Sequence, residues 1–266
     1  MVKHYILGLL TWRTIYKVIA ISLCIVVLVI GYLIALFDYQ GTAFDETPAN
    51  GRSGNYLSFF VVQVNILILA YFVNALVFYR NEGLTRWTKP TAKIAFSVYA
   101  SFTLLVYWII IFPWVLISTP YTIKGWHWII IAFQNGIIPL LLIIYIVIIS
   151  YEDIIYSRNF FRWKLWIIIL YPLIYLMFIL VRGALRLLDH NKHPDLFTTN
   201  GKIDWIKIYN YPFLSYNQEV SFINFDGIFT FIFFMIIFTI LLLFLVWFYV
   251  YIFNYRYDMK HKRKRR

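Results

Sequence analysis

Six apolar runs, each long enough to cross a bilayer, constrain this chain more than anything else in it. A hydrocarbon core of ~30 Å takes about 20 residues of helix at 1.5 Å per residue. Runs of that kind occupy 15–37, 56–79, 93–116, 126–150, 165–183 and 226–254 of the 266 residues. Hydrocarbon offers no partner to a free backbone N–H or C=O, so each run has to close its hydrogen bonds within itself, as a helix. The composition agrees, at 62% hydrophobic, 14% charged and a mean hydropathy of +0.73, against roughly half apolar and a quarter charged in a soluble domain. The fold class predicted is all-α: a polytopic membrane protein, a bundle of six transmembrane helices in a single domain spanning 1–266. The first run is too long for a signal-peptide h-region and is followed by no small-residue cleavage site, so it reads as a retained span. No internal repeat, low-complexity block or second domain stands out.

The net charge of +12 clusters at the ends of the runs. Lys and Arg number three in the leader through Lys17, one in the first loop, four in the second, one in the third, three in the fourth, five in the fifth segment from Arg182, which runs over more than forty residues where the rule weakens, and seven in the tail from Tyr255. That alternation predicts both termini on the cytoplasmic side of a cell membrane. Trp126 and Trp128 mark one interface, and Trp87, Trp163 and Trp166 the other. The basic tail reads as a topology determinant resting on anionic lipid rather than as a nucleic-acid contact. The excess of Ile, Phe, Tyr, Asn and Lys over Gly and Ala is the bias of an AT-rich genome and points to a low-GC bacterium.

The chemistry available inside the membrane is narrow. Cys24 is the lone cysteine, and His190 and His193 lack a third partner at ligand spacing, so no metal and no cofactor is expected. No Asp, Glu or His lies mid-membrane, and the broken helices and inverted repeats of secondary transporters are not apparent. Arg182 reads as the only charge inside an apolar run, on a fifth helix interrupted by Pro172. It either snorkels to the interface or clamps a carboxylate or phosphate head group.

What remains is a set of amides. Gln63 and Asn65 on the second helix and Gln134 and Asn135 on the fourth fall at similar depth, ~10 to 14 Å below the interface where both helices start. Tyr175, rising on the fifth helix, reaches the same level. These groups are either interhelical glue or the polar floor of a lipid pocket.

Four segments carry a resemblance: FFVVQVNILILA from Phe59, FQNGIIPLLLIIY from Phe133, YPLIYLMFILVRG from Tyr171 and YPFL from Tyr211. In order and spacing they resemble the bacterial family of predicted six-pass membrane proteins. That family looks related to the animal androgen-induced protein family of membrane-embedded threonine hydrolases. The resemblance implies an intramembrane pocket for fatty-acyl lipids and, in the animal relatives, a threonine nucleophile on helix two with a histidine on helix four. Here Val61 stands where the threonine would be, and Asn135, four residues before Pro139, stands where the histidine would be. Valine has no attacking atom, and an amide does not take a proton as imidazole does. Ser58 and His127 are the stand-in catalytic candidates.

The function these features suggest is a catalytically diverged membrane protein that binds an acyl lipid, with Val61, Gln63, Asn65, Gln134, Asn135, Tyr175 and Arg182 as binding residues. Membrane lipids are the expected partners, with a fatty-acyl ligand in the pocket and no nucleic acid. The alternatives are an active hydrolase of fatty-acyl esters working through Ser58 and His127, and a small-molecule carrier or transporter subunit.

Overall fold

The computed structural model describes residues 11–38, 49–118, 125–150, 155, 159–192, 198–199, 202–203, 208–216 and 226–264. Lys124, Arg158 and His193 lie outside the described residues, as do the side chains of His190 and of the basic tail from Lys260. Seven helices account for most of the fold: α1 (Trp12–Phe37), α2 (Ala49–Ser58), α3 (Phe60–Val77), α4 (Pro90–Leu116), α5 (Gly125–Ile149), α6 (Phe160–Asp189) and α7 (Gly227–Met259). All except the ten-residue α2 are long and apolar enough to cross a membrane, and they form a six-span bundle. A two-residue hairpin, β1 (Thr198–Thr199) with β2 (Lys202–Ile203), lies between α6 and α7.

Residue size decides which face of α1 turns inward. Its buried positions are Thr14, Lys17, Ala20, Cys24, Val27, Gly31 and Ala35, three or four apart and mostly small. Bulky Ile15, Ile19, Val26, Val29 and Leu33 face outward. Small residues let two backbones approach, which is how helices associate where lipid is as apolar as leucine, and α1 packs chiefly on α3. The centre of the bundle is α4, which contacts α3, α5 and α7 and has 56% of its most apolar window buried. The corresponding share for α6 is 11%, so this helix stands at the rim and is fastened by phenols: Tyr99 donates to the Ile168 carbonyl at 2.7 Å and Tyr175 to the Ser58 carbonyl at 3.0 Å.

Prolines leave a signature in the spans. A proline interrupts the ladder and crowds the carbonyl four residues back. Wide π turns at Tyr107–Ile111 and Phe133–Ile137 take up that strain just before Pro113 and Pro139. Helix α6 continues through Pro172 from a π turn at Phe160–Lys164, so the expected interruption there is absent. The break comes instead in the second span, expected as one helix over 56–79. Phe59 is extended (φ −67°, ψ 132°) between α2 and α3. The helix discontinuity not expected from sequence is therefore present, without a proline or glycine at the break.

At the end of the bundle that carries Trp12 and Met259, a buried ion pair joins α1 to the connection after α3. Lys17 Nζ lies 2.6 Å from Glu82 Oε2, with side chains 3% and 2% exposed. Lys17 also donates to the Ala75 carbonyl at 2.8 Å, and Tyr145 donates to Glu82 Oε1 at 2.6 Å. Lys17 thus belongs inside the first span and not to a solvated leader, and Lys93 is likewise fully buried in the first turn of α4. Arg182 is not the only charge packed within the bundle's helices.

Candidate functional site

The opposite, distal end of the bundle gathers polar groups that the sequence scatters. Extended Phe59 leaves the first N–H groups of α3 without intrahelical partners. The Tyr211 hydroxyl accepts from Phe60 N–H at 3.1 Å. Burial pushes the Tyr211 phenol up to about 12, while the N–H groups of Phe60 and Val61 pull it the other way. The segment carrying Tyr211 therefore caps the broken helix, reaching back from the connection between α6 and α7.

Beside that cap, Arg182 spreads its guanidinium over two amide oxygens. Nη1 donates to Asn210 Oδ1 at 2.7 Å and Nη2 to Asn55 Oδ1 at 3.0 Å. Asn210 Nδ2 in turn donates to Ser58 Oγ at 2.7 Å, and Ser58 Oγ donates to the Asn55 carbonyl at 2.6 Å. The planar fork of arginine suits two acceptors at once. One network thus joins α2, α6 and the returning segment. Gly183 makes room for it: a Cβ there would overlap the fully buried ring of Tyr209.

Next to this network lies a cavity of about 420 Å³, within the range of small-ligand pockets. Its walls are apolar side chains of α3 to α7 and of the returning segment, among them Phe60, Val106, Ile131, Leu176, Phe213 and Phe238. Polar groups enter from Tyr56, His127, Gln134, Asn135, Tyr175 and Asn210. The widened turn before Pro139 turns Gln134, Asn135 and Gly136 all inward, since all three are buried. Gln134 Nε2 donates to the Tyr56 hydroxyl at 2.7 Å, and Asn65 Nδ2 to the Gln134 carbonyl at 3.0 Å. A Cβ at Gly31 would overlap Gln134 Nε2 and stand 2.6 Å from the Tyr56 hydroxyl, so α1 needs glycine at this crossing.

Of the binding residues expected from sequence, Val61, Gln134, Asn135 and Tyr175 line the cavity. Gln63, Asn65 and Arg182 do not. Gln63 instead accepts weakly from Tyr171 at 3.4 Å, and Asn65 serves as a strut to α5. Asn135 Nδ2 donates to the Ile131 carbonyl of its own helix at 2.9 Å. Ser58 is held in the Arg182 network, while His127 Nε2 pairs with Asp38 Oδ2 at 3.1 Å. His127 is buried, lines the cavity, and keeps Nδ1 without a partner.

The residues that sequence reasoning passes over are Asp38, Asn55, Tyr56, Trp114 and Asn210, and Tyr211 is noted there only as the head of YPFL. The one available signal is the density of Asn, Ser and Tyr at 53–58, where the second run begins, and at 209–216, within the connection between the fifth and sixth runs. Both read locally as turn chemistry. Among the described residues no group of three His, Cys, Asp or Glu could hold a metal ion. Compared with protein-family models, curated proteins and solved structures, the chain matches none.

Proposed function

We propose that this protein binds the acyl portion of a membrane lipid in the cavity between α3, α4, α5, α6 and α7. The observation that carries the reading is the cavity's composition: a mostly apolar lining with a few polar side chains, among them His127, Gln134 and Asn135. An acyl chain gains from the walls, and a head group meets His127, Gln134 and Asn135. The resemblance to the six-pass family and its membrane hydrolase relatives supports the same ligand class. The charge alternation supports a cell membrane with both termini cytoplasmic.

Binding without acyl transfer is the form we favour. Val61 lines the cavity where the relatives' nucleophile is expected, and the Ser58 hydroxyl is spent on Asn55 and Asn210 instead of on an imidazole. A carrier is the second reading, favoured by the break at Phe59, since discontinuous helices build many transporter sites. The test is mass spectrometry of lipids retained by the protein purified in mild detergent. Val61→Trp, which narrows the cavity, is expected to lose most of the retained acyl lipid while keeping its thermal stability. Equal lipid recovery from the wild type and Val61→Trp would defeat the proposal. Solute uptake that depends on the protein would favour the carrier.

A further inference from the structure

The cavity is partly open rather than enclosed. Of the residues that line it, three are exposed: Leu173 on α6, and Thr239 and Leu243 on α7. Every other lining residue is buried or partly buried. On each helix the exposed positions belong to a lining stripe at helical spacing, Ile169, Leu173 and Leu176 on α6 and Met235, Thr239 and Leu243 on α7. The two helices do not pack closely on each other. Each leans on α4 instead: Tyr99 holds α6 through the Ile168 carbonyl, and Ser101 Oγ and the Tyr249 hydroxyl, 2.5 Å apart, hold α7.

Toward the distal end the returning segment fills the gap between them, with the Phe213 ring 5.3 Å from that of Phe234 and 5.0 Å from that of Phe238. On the proximal side of Phe213 the gap is a window. A shallow groove on the outer face of α7, walled by exposed Ile232, Ile236 and Ile240, shares Met235 and Thr239 with the cavity. The cavity therefore runs out onto the lipid-facing surface at this point. The one polar side chain among the three exposed residues, Thr239, spends its hydrogen on the Met235 carbonyl of its own helix at 2.8 Å.

Depth fixes what lies outside the window. Leu173 is the fourteenth of 30 residues in α6, and Thr239 and Leu243 are the thirteenth and seventeenth of 33 in α7. At ~1.5 Å per residue each stands at least ~18 Å from either end of its helix, whereas hydrocarbon edge and midplane are only ~15 Å apart. The window faces the middle of the bilayer. A molecule passing there exchanges hydrocarbon for protein and meets no water. Acyl chains make that move at little cost, but a charged head drawn from the interface to that depth pays heavily. Resting on the acyl-lipid reading above, we infer that the cavity fills sideways from the bilayer, through the window between α6 and α7, with an uncharged lipid dissolved in the hydrocarbon, such as a diacylglycerol, rather than with a phospholipid.

The experiment places the full chain in phosphatidylcholine vesicles carrying either a deuterated diacylglycerol or the deuterated phosphatidate with the same chains. Protein is withdrawn at intervals into mild detergent and its retained label counted by mass spectrometry; a chase with unlabelled vesicles reads release. Diacylglycerol is expected to load about tenfold faster than phosphatidate, the effect of a modest difference in barrier. Leu243→Trp narrows the window and should slow loading and release together, each about tenfold, because a raised barrier acts in both directions. Thr239→Phe, at the same rim, should slow both severalfold and keeps the test usable if Leu243→Trp fails to fold. Ile174→Trp, exposed on α6 outside the cavity lining, should leave both rates as in the wild type. Rim variants that load and release at the wild-type rates, or that only release faster, overturn the window and leave the acyl cavity standing. Phosphatidate loading as fast as diacylglycerol overturns the choice of an uncharged lipid. A wild type that retains no acyl lipid of any kind removes the acyl reading, and this inference with it.

Discussion

Arg182 Nη1 and Asn210 Oδ1 lie 2.7 Å apart across 28 residues of chain. With the second arm of the fork on Asn55, this contact draws the returning segment onto the broken second span, where Tyr211 caps α3. The guanidinium is thus engaged by protein amides, and its first role is to hold the wall of the cavity in place. Arg182→Gln is expected to lower thermal stability, with about 1.5–3 kcal/mol lost for each charge-assisted bond removed. Arg182→Lys should recover less than half, because an ammonium cannot span two acceptors. Unfolding followed by size-exclusion chromatography after heating reads both; an unshifted midpoint in Arg182→Gln would mean that the fork carries no structural weight.

The two glycines at close crossings differ in what they press on. Alanine at Gly183 drives into three ring carbons of buried Tyr209, whereas alanine at Gly31 meets the far ends of two side chains, the Gln134 amide and the Tyr56 hydroxyl. Overpacking costs about 1–3 kcal/mol when neighbours cannot move. Gly183→Ala should therefore be the more destabilised of the two, while Gly31→Ala should chiefly lose the Tyr56–Gln134 bond and with it retained lipid. The reverse ranking in thermal melts would contradict the packing described here.

The Lys17–Glu82 pair predicts a thermodynamic cycle. Removing one partner leaves a buried charge alone, at about 3–5 kcal/mol. Glu82→Gln and Lys17→Met should each be severely destabilised, and the double variant should be more stable than either single one. Additive losses would indicate that the two charges do not interact.

Single cysteines test the alternation of spans. Native Cys24 is fully buried and gives little background. Leu84 is 73% exposed on the connection between α3 and α4, and Gly125 is exposed, with open space where a side chain would begin. With both termini inside, Gly125→Cys should react with an impermeant thiol reagent on intact cells, and Leu84→Cys only after permeabilisation. Labelling of Leu84→Cys on intact cells inverts the topology. Thr88 is a poor reporter, being buried and bonded to Thr85.

The six spans are legible in the sequence because hydrophobic length is a one-dimensional property: their observed limits differ from those expected by a few residues at most ends. The amide depths are legible for the same reason, which is why Asn65 and Gln134 do meet. Pairing is not legible. Arg182 finds Asn55 and Asn210, and Phe60 N–H finds Tyr211, through contacts 127, 28 and 151 residues apart that no local pattern encodes. The break at Phe59 is hidden because the group that answers its freed N–H is a distant phenol, with no proline or glycine on the spot. Lys17 reads as solvated because its partner Glu82 sits beyond the next two helices in the chain.

The cap and fork at the distal end also set an order of events during synthesis. Asn55 and Ser58 leave the ribosome 155 and 152 residues ahead of Asn210, the side chain that completes their bonding. At 5–20 residues per second, that delay is roughly 8–30 s. For that interval the polar bend of the second span has no Asn210 to bond to, and its final packing waits on chain not yet made.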